Sequence, residues 1–409
     1  MNNPKKPELV VPAGSLDKLK AAFAFGADAV YLGGAGFNLR AQATNFTPAD
    51  MAEGLRIARD YGARIYVTVN AFAHPQDMDL LPAYLAQLAE LGVDGLIVSD
   101  PGVMMLAAEI CPDMHVTVST QANVTNALSA RAYRKLGAQR VVLGRELTLD
   151  EIRAVKTESG MEVEVFVHGA MCLSYSGRCW LSLAMTGRDA NRGACAHPCR
   201  YRYALVEEKR PGQYFPVEED QYGAYVMNSR DLCLLEQVPA LIEAGVDAFK
   251  IEGRMKSPLY VAVTTRVYRM AIDSAFSGEP LNLEFMLDEL RSVATRPFTT
   301  GFLNDSAAAA SMDAKRRETR QRMAFVGTVI AYDANLGMNL VEQRAPFPCG
   351  GWLTVYEPPG RVHSIQVHRL LNEELHPMDV ARHARQHLWV DAGGPLRPGS
   401  ILAKPEENS

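Results

Sequence analysis

One joint between a helix and a strand recurs along the first part of the chain, and it constrains the fold more than any other feature. The sequences GADAV, GVDGL, GAQRV and GVDAF begin at Gly26, Gly92, Gly137 and Gly245. At each one an amphipathic helical pattern ends at the glycine, and an apolar run begins two or three residues later. Glycine is favoured just past a helix end because it adopts the left-handed conformation without a steric penalty. The repeat therefore predicts alternating helices and strands.

Short apolar runs supply the predicted strands, and several are nearly continuous in β-branched or aliphatic residues, as strands buried on both faces are. The eight runs are Leu9–Pro12, Ala29–Leu32, Ile65–Val69, Gly95–Val98, His115–Val118, Arg140–Leu143, Glu162–Val167 and Ala248–Ile251. Helical patterns such as Leu16–Phe25 and Ala49–Tyr61 separate them. Eight strands with a repeated joint predict a (β/α)8 TIM-like barrel, and a doubly wound sheet is the alternative.

The chain is predicted to divide into three parts. Residues 1–280 would form the barrel, with an insertion at 170–231 after strand seven. Residues 281–322 would be a helical connecting segment, and 323–409 a small all-β barrel domain of short strands between glycine and proline turns. The whole connection between Val167 and Leu232 is roughly 65 residues, and loops of that length are usually functional. This one leaves the C-terminal end of a strand, where such barrels place their active sites.

Composition and charge narrow the possible partners. Hydrophobic residues make up 48% of the chain and charged residues 22%, which is typical of globular proteins. With no run of 18 apolar residues we expect no membrane partner, and a cytoplasmic location. The net charge is −5, so a nucleic acid would have to be bound by local basic patches. The sequence does not predict the oligomeric state.

Four of the seven cysteines lie close together inside the insertion. Cys172, Cys179, Cys195 and Cys199 have the spacing C-x6-C-x15-C-x3-C. In the cytoplasm, clustered thiols favour metal or redox chemistry over disulfides. Four thiolates suit an iron–sulfur cluster of the [4Fe–4S] type, with structural zinc or unconnected buried thiols as alternatives. Cys233, at the predicted helix start after the insertion, is a possible substitute ligand.

Polar residues that directly follow the barrel strands should form a ring at the barrel mouth. The ring comprises Asn70, His74, Asp100, Ser119, Gln121, Asn123, Arg145, Glu146, His168, Glu252, Arg254 and Lys256. The candidate catalytic residues among them are His168, Arg145, Glu146, Glu252 and Arg254. Arg145 and Arg254 could bind carboxylates or phosphates through two parallel hydrogen bonds. Alternatively, the two glutamates simply neutralise the two arginines, and His168 is a buried core histidine.

A basic and aromatic composition marks the insertion and the segment before the β domain. The candidate RNA-binding residues are Arg178, Arg192, Arg200, Arg202, Arg316 and Arg317. In the insertion they alternate with Tyr175, Trp180, Tyr201 and Tyr203. Arginines bind phosphates and aromatic rings stack on splayed bases, so this pattern is typical of an RNA-binding surface. The alternative for the second run, KRRETRQR, is a solvated helix face.

Several of these motifs together resemble the collagenase-like peptidase family U32 over about residues 8–300. The resemblance rests on VEVFVHGAMCLSYSGRCWLS and RDANRGACAHPCRYRY, and on VSTQANVTN, MNSRDL and KIEGRMKSPLY. Within the family the chain is most similar to the tRNA-hydroxylation branch. That branch implies O2-independent hydroxylation of the tRNA wobble uridine to 5-hydroxyuridine, with prephenate as co-substrate. It also implies a [4Fe–4S] cluster, with Cys172, Cys179, Cys195 and Cys199 as its ligands.

The same resemblance leaves other activities open. Relatives in the family hydroxylate an rRNA cytidine or a ubiquinone precursor, and the family name implies a collagenase-like peptidase. Proteolysis requires an activated nucleophile or a metal-bound water. A cysteine that ligates iron is not a free nucleophile, and the sequence contains no separate protease motif. We therefore expect an RNA-modifying enzyme.

Overall fold

The structure is a computed structural model, and it describes a barrel followed by a C-terminal sheet. The described residues are 5–39, 45–172, 174–201, 204–206, 214–216, 219–220, 223–224, 230–304 and 322–406. Arg202, Arg316 and Arg317 lie outside them, as does the predicted connecting segment from 305 to 321. None of the described helices has both the length and the apolar character that crossing a membrane requires.

Eight of the strands in the barrel region match the eight predicted apolar runs closely. In chain order they are β1 (Glu8–Pro12), β2 (Ala29–Gly33), β3 (Arg64–Val69), β4 (Gly95–Val98), β5 (His115–Val118), β6 (Arg140–Val142), β7 (Glu162–Ala170), β8 (Ala204–Val206), β9 (Tyr214–Pro216), β10 (Glu219–Asp220), β11 (Gly223–Ala224), β12 (Asp231–Cys233), β13 (Ala248–Ile251) and β14 (Phe298–Thr299). Parallel pairing runs from β1 through β7, and β13 pairs with both β7 and β1. The predicted barrel is thus confirmed, and the doubly wound alternative is wrong.

Helices connect and cover these strands. They are α1 (Leu16–Ala24), α2 (Pro48–Asp60), α3 (Pro75–Met78), α4 (Leu81–Leu91), α5 (Pro101–Ile110), α6 (Ala127–Lys135), α7 (Leu149–Ser159), α8 (Leu181–Thr186), α9 (Val238–Glu243), α10 (Pro258–Ser277) and α11 (Leu283–Val293). Capping boxes begin α2 and α7. The side chains of Thr47 and Thr148 accept the backbone N–H of the third helical residue, and the carboxylate of that residue accepts the backbone N–H of the threonine.

The four repeated glycines adopt the predicted left-handed conformation. Their φ angles are +100° at Gly26, +76° at Gly92, +94° at Gly137 and +82° at Gly245. A residue with a Cβ would be strained at these positions, so the repeat in the sequence reports a real constraint on the backbone.

The segment after the insertion differs from the prediction. A helix was expected from about residue 232, but Asp231–Cys233 forms the short strand β12. It pairs antiparallel with the end of β7, where Cys233 lies opposite His168, and parallel with β14. The helix α9 begins only at Val238. This pairing joins residues far apart in the chain, and local apolar periodicity carries no signal for it.

Charged side chains fill the base of the barrel interior. Arg140 Nη1 donates to Glu8 Oε2 at 2.6 Å and to Glu164 Oε2 at 3.2 Å. Lys250 Nζ donates to Glu164 Oε1 at 2.6 Å, and Tyr66 OH donates to Glu8. All four charged residues are at most 8% exposed. Burial opposes ionisation of Glu164, but Lys250 and Arg140 outweigh that effect and hold its pKa below the usual range.

The C-terminal region is an antiparallel sheet domain, as predicted. Its strands are β15 (Met323–Asp333), β16 (Met338–Gln343), β17 (Phe347–Pro348), β18 (Trp352–Glu357), β19 (Arg361–Gln366), β20 (Arg369–Leu371), β21 (Val380–Ala381), β22 (His387–Asp391) and β23 (Ile401–Pro405). Seven of them form one curved sheet in the order β19-β18-β23-β15-β16-β22-β20. Tyr356 and Ile401 pack into the hydrophobic core around α10, and Arg266 of that helix donates to Gly360 O at 2.6 Å.

Candidate active site

A pocket with a cavity volume of about 180 Å³ opens at the C-terminal ends of the barrel strands. Polar side chains in or just after the strands line it, namely Thr68, Asn70, Ser119, Thr120, Gln121, Arg145, Glu146, Lys250, Glu252 and Arg254. The insertion completes the wall with Cys172, Cys179, Cys195 and Cys199. The structure therefore brings all four clustered cysteines and four of the five candidate catalytic residues to one cavity.

Opposing effects act on the thiol of Cys172, and their balance raises its pKa and favours the neutral thiol. Burial within the pocket raises the pKa of the Cys172 thiol, even though part of the residue remains open to solvent. A hydrogen bond from the Ser174 backbone N–H and the nearby Arg145 charge act in the opposite direction. Negative charge on Cys179 and Cys195 would raise the Cys172 pKa further, which reflects how close these sulfurs are.

A second amide contacts sulfur at Cys195, whose Sγ accepts the backbone N–H of His197 at 3.4 Å. Amide hydrogen bonds to the sulfurs are among the features that tune iron–sulfur clusters. In the part of the chain that the structure describes, no three His, Cys, Asp or Glu side chains converge as ligands of one metal ion. The donor set, four thiols in one pocket with amides directed at two of them, fits an iron–sulfur cluster.

Glu146 anchors the first turn of the insertion. Its Oε1 accepts the Ser176 backbone N–H at 2.7 Å, and Ser176 Oγ donates to Asn123 Oδ1 at 2.7 Å. Ser176 has a φ of +48°, which is unusual for a residue with a side chain and is held in place by these contacts. Arg178 Nε adds a bond to Gln121 O at 2.8 Å. Glu146 thus positions the cysteine-bearing loop, a role that strand-end position alone did not predict.

Asn191 and Arg192 fix the other side of the insertion. Asn191 Oδ1 accepts the Cys179 N–H at 3.1 Å, and its Nδ2 donates to Cys179 O at 3.0 Å. Arg192 forms a two-pronged ion pair with Asp77, whose pKa this bond lowers, and also donates to Phe72 O. Arg192 was predicted to bind RNA, but its guanidinium is engaged in holding the loop against the end of β3.

Arg254 lies deep in the pocket wall and is only 5% exposed. Its Nη1 donates to Asn38 Oδ1 at 3.3 Å, and its Nη2 donates to Asn45 Oδ1 at 2.8 Å. These amide oxygens orient the guanidinium. At Gly33, the last residue of β2, a Cβ would overlap Arg254 Nη2, so a glycine is needed there for the close approach of this side chain.

Two further cations flank the ring of Phe166 in the pocket. The Arg145 guanidinium carbon lies 3.8 Å from the ring centroid, and Arg145 Nη1 donates to Ala170 O at 2.8 Å. Lys250 Nζ lies 5.8 Å from the Phe166 centroid and 4.4 Å from that of Tyr31. Sequence reasoning missed Lys250. The signal was its position inside an otherwise apolar strand, because a lysine there must face the barrel interior.

Glu252 interacts with Tyr31, whose OH donates to Glu252 Oε2 at 2.9 Å. The residue directly follows β13, and its backbone oxygen lies so close to Gly169 that a Cβ there would overlap it. The tyrosine hydroxyl holds the carboxylate at the pocket wall.

His168, the fifth candidate catalytic residue, packs among buried aromatic rings and not in the described wall of the pocket. A β-bulge shifts the pairing of β7 with β13 between Lys250 and Ile251, and His168 packs among Tyr260, Tyr268 and Phe298. It is 1% exposed, and burial, aided by the Lys256 charge, lowers its pKa to about 3. Within the described part of the chain His168 does not line the pocket. This position corresponds to the buried core histidine that the sequence left as the alternative.

Other predicted residues also lie away from the cavity. Cys233 is 7% exposed beside Tyr268, burial raises its thiol pKa to about 11, and the described pocket wall does not include it. Asp100 caps α5, and Lys256 donates to Thr295. The described wall likewise excludes His74 and Asn123. Arg200 lies in the turn Pro198–Arg200, and its side chain is outside the described structure.

Comparison with known proteins gives matches along nearly the whole chain. Residues 14–313 match the model of Peptidase family U32, and residues 321–403 match the Peptidase family U32 C-terminal domain. The chain is 38% identical to tRNA hydroxylation protein P1 of Bacillus subtilis, over 98% of this chain and 95% of that protein. It is 38% identical to tRNA hydroxylation protein P of Escherichia coli, over 73% and 74% of the two chains. It is 35% identical to a collagenase of Porphyromonas gingivalis, over 81% of each.

Proposed function

This chain belongs to peptidase family U32, and on that premise we propose that it is a tRNA-modifying enzyme. Its reaction would be O2-independent hydroxylation of the wobble uridine to 5-hydroxyuridine. Two relatives named as tRNA hydroxylation proteins support an activity on tRNA. The observation that carries the proposal is the shared pocket, in which four cysteines face Arg145, Lys250 and Arg254. That pairing of cysteine sulfurs with cations suits a redox reaction on an anionic co-substrate.

In this proposal a [4Fe–4S] cluster is held by Cys172, Cys179, Cys195 and Cys199, and it supplies electron transfer when bound. The chain's own residues do the positioning. Glu146 holds the turn after Cys172, and the Asn191 amide fixes the backbone of Cys179 from both sides. These contacts hold the insertion in the wall of the pocket at the mouth of the barrel.

The proposed co-substrate is prephenate, a molecule with two carboxylates. Arg145 and Arg254 are suited to bind carboxylates because a guanidinium offers two parallel donors. Arg145 stacks on Phe166 and is fixed by Ala170 O, while Arg254 is oriented by Asn38 and Asn45. Both guanidinium groups are thus held in place before the ligand arrives, which reduces the entropy lost on binding.

A peptidase activity is the second candidate, and one specific contact favours it. Cys195 Sγ lies 3.7 Å from His197 Nδ1, which is near the geometry of a cysteine nucleophile and its base. The collagenase relative points the same way. Against it, the same sulfur accepts the His197 amide and shares its pocket with three further cysteines. Proteolysis of gelatin that is lost in His197→Ala would favour this candidate over hydroxylation.

Nucleoside mass spectrometry of tRNA tests the proposal in a strain that lacks the gene. Wobble 5-hydroxyuridine should be absent, and the wild-type chain should restore it. Cys195→Ala should fail to restore it. The matched control is Cys349→Ala, an exposed cysteine of the β domain that donates to His368 O. The tRNA assignment would be contradicted if the strain that lacks the gene kept its normal level of wobble 5-hydroxyuridine. Loss of a hydroxylated rRNA cytidine or of ubiquinone in that strain would point to that other substrate.

A further inference from the structure

Large aromatic side chains of the insertion are left exposed. Trp180 is 71% exposed, Tyr175 57% and Tyr201 47%. Exposed apolar groups that cluster in one segment usually mark a surface that binds a partner. We call Tyr175, Trp180 and Tyr201 the aromatic rim.

The aromatic rim borders the pocket. Trp180 lies between Cys179 and Leu181, both of which line the cavity. Tyr175 lies between Ser174 and Ser176, which also line it. These two rings are therefore attached to backbone segments that form the pocket wall, and Tyr201 follows two residues after Cys199, which also lines it.

Contacts within the insertion hold the aromatic rim and its charges in fixed positions. Tyr201 OH donates to Ala196 O at 3.0 Å, and α8, which follows Trp180, packs against the turn Pro198–Arg200. Arg178 Nε donates to Gln121 O at 2.8 Å, and Arg188 Nε donates to Ala194 O at 3.2 Å, while both residues stay exposed. The rim thus combines exposed aromatic faces with two oriented cations, in a chain whose net charge is −5.

We propose that the aromatic rim stacks on the unpaired bases that flank a target nucleoside in an RNA loop, with Trp180 as the main platform. This inference rests on the proposed function and adds the mode of recognition. An aromatic face stacks on any base, and neighbouring arginines bind the phosphates, so the combination suits single-stranded RNA. Fully paired RNA would be excluded because its bases already stack on each other.

Binding of two RNA probes tests the proposal directly. One is a hairpin with an unpaired uridine in its loop, and the other is a fully paired duplex of the same composition. The full-length protein, purified without oxygen, should bind the hairpin more tightly than the duplex. Trp180→Ala should weaken hairpin binding roughly 5- to 150-fold, the range expected for one stacked base. Trp180→Phe should retain most of the affinity.

The matched control is Trp352→Ala, which removes a tryptophan of the β domain that is 64% exposed. Its hairpin affinity should equal that of the wild type. The iron content of Trp180→Ala should also match the wild type, which shows that the adjacent Cys179 is undisturbed.

Equal hairpin affinity in Trp180→Ala and the wild type would overturn the rim proposal while leaving tRNA hydroxylation in place. Trp180-dependent binding of a collagen peptide, without binding of the hairpin, would also overturn it. A wild-type chain that binds no RNA at low salt would instead contradict the proposed function itself.

Discussion

At the base of the barrel interior, Arg140 and Lys250 are bound to the carboxylates of Glu8 and Glu164. At the mouth, Arg254 is oriented by amide oxygens, and Arg145 by a backbone oxygen and an aromatic ring. Arginine is therefore buried at both ends, but its partners differ. Carboxylate partners offset the charge at the base, whereas amide, backbone and aromatic groups orient the guanidinium groups at the mouth.

This difference separates a structural role from a functional one. A buried ion pair contributes mainly through the cost of breaking it, because one partner alone leaves an uncompensated charge. A guanidinium that its neighbours orient presents two parallel donors to a carboxylate or phosphate. Lys250 contributes to both regions, because it binds Glu164 at the base and also lines the pocket at the mouth. The substitutions below test whether the base network stabilises the fold and whether the arginines at the mouth serve catalysis.

The largest effect should come from Arg140→Met at the base. The change leaves Glu8 and Glu164 buried without their shared partner, and we expect the free energy of unfolding to fall by about 3–5 kcal/mol. The urea midpoint followed by circular dichroism measures it. Arg153→Met, which removes an exposed pair with Asp150, is the control and should leave the midpoint unchanged. A midpoint for Arg140→Met equal to that of the control would show that the base network is dispensable.

A smaller effect, confined to catalysis, should follow Arg254→Lys at the mouth. Lysine keeps the charge but loses the paired donors, so we expect about a 10- to 100-fold lower kcat/KM for prephenate, comparable to losing one charged hydrogen bond. The rate of wobble uridine hydroxylation at limiting prephenate measures it, with urea midpoint and iron content unchanged. Arg269→Lys on the outer face of α10, where Arg269 binds Asp28 and Asp273, is the control. Full activity in Arg254→Lys would leave Arg145 as the remaining clamp residue.

The smallest effect concerns His168 and pH. Its pKa of about 3 lies below the unfolded value of about 6.5, so the unfolded chain takes up a proton first as the pH falls. Stability should therefore be full above about pH 6.5 and decline as the pH falls towards 3, by about 1 kcal/mol between about pH 7 and pH 5.5. His168→Phe should remove this part of the slope, while the exposed His383→Phe should not. An unchanged slope in His168→Phe would mean that the histidine is protonated in the fold.

The fold was predictable because its signals are local and repeated. The glycines at 26, 92, 137 and 245 report the same backbone requirement four times, and each is followed by a buried strand. The cysteine spacing and the position of the insertion after β7 likewise placed Cys172 beside Arg145 and Arg254 in one cavity.

The errors arose where distant parts of the chain meet. The bulge between β7 and β13 turns His168 away from the mouth, and β12 forms only by pairing with the end of β7. No local pattern encodes either event. Arg192 illustrates the same limit. The basic and aromatic composition of the insertion suggests that this arginine binds RNA, but its ion pair with Asp77 depends on where the fold places α3. Lys250 is the opposite case, because its place in an otherwise apolar strand was a local signal that it faces the barrel interior.

Whether the barrel mouth is a redox site is tested most directly by iron and sulfide analysis of the protein purified without oxygen. We expect about four irons with matching sulfide per chain, as in a [4Fe–4S] cluster. Cys172→Ser and Cys195→Ser should lose them, whereas Cys233→Ser and Cys349→Ser should keep them. One zinc without sulfide, or full iron content in Cys172→Ser, would contradict a cluster held by the four cysteines of the pocket.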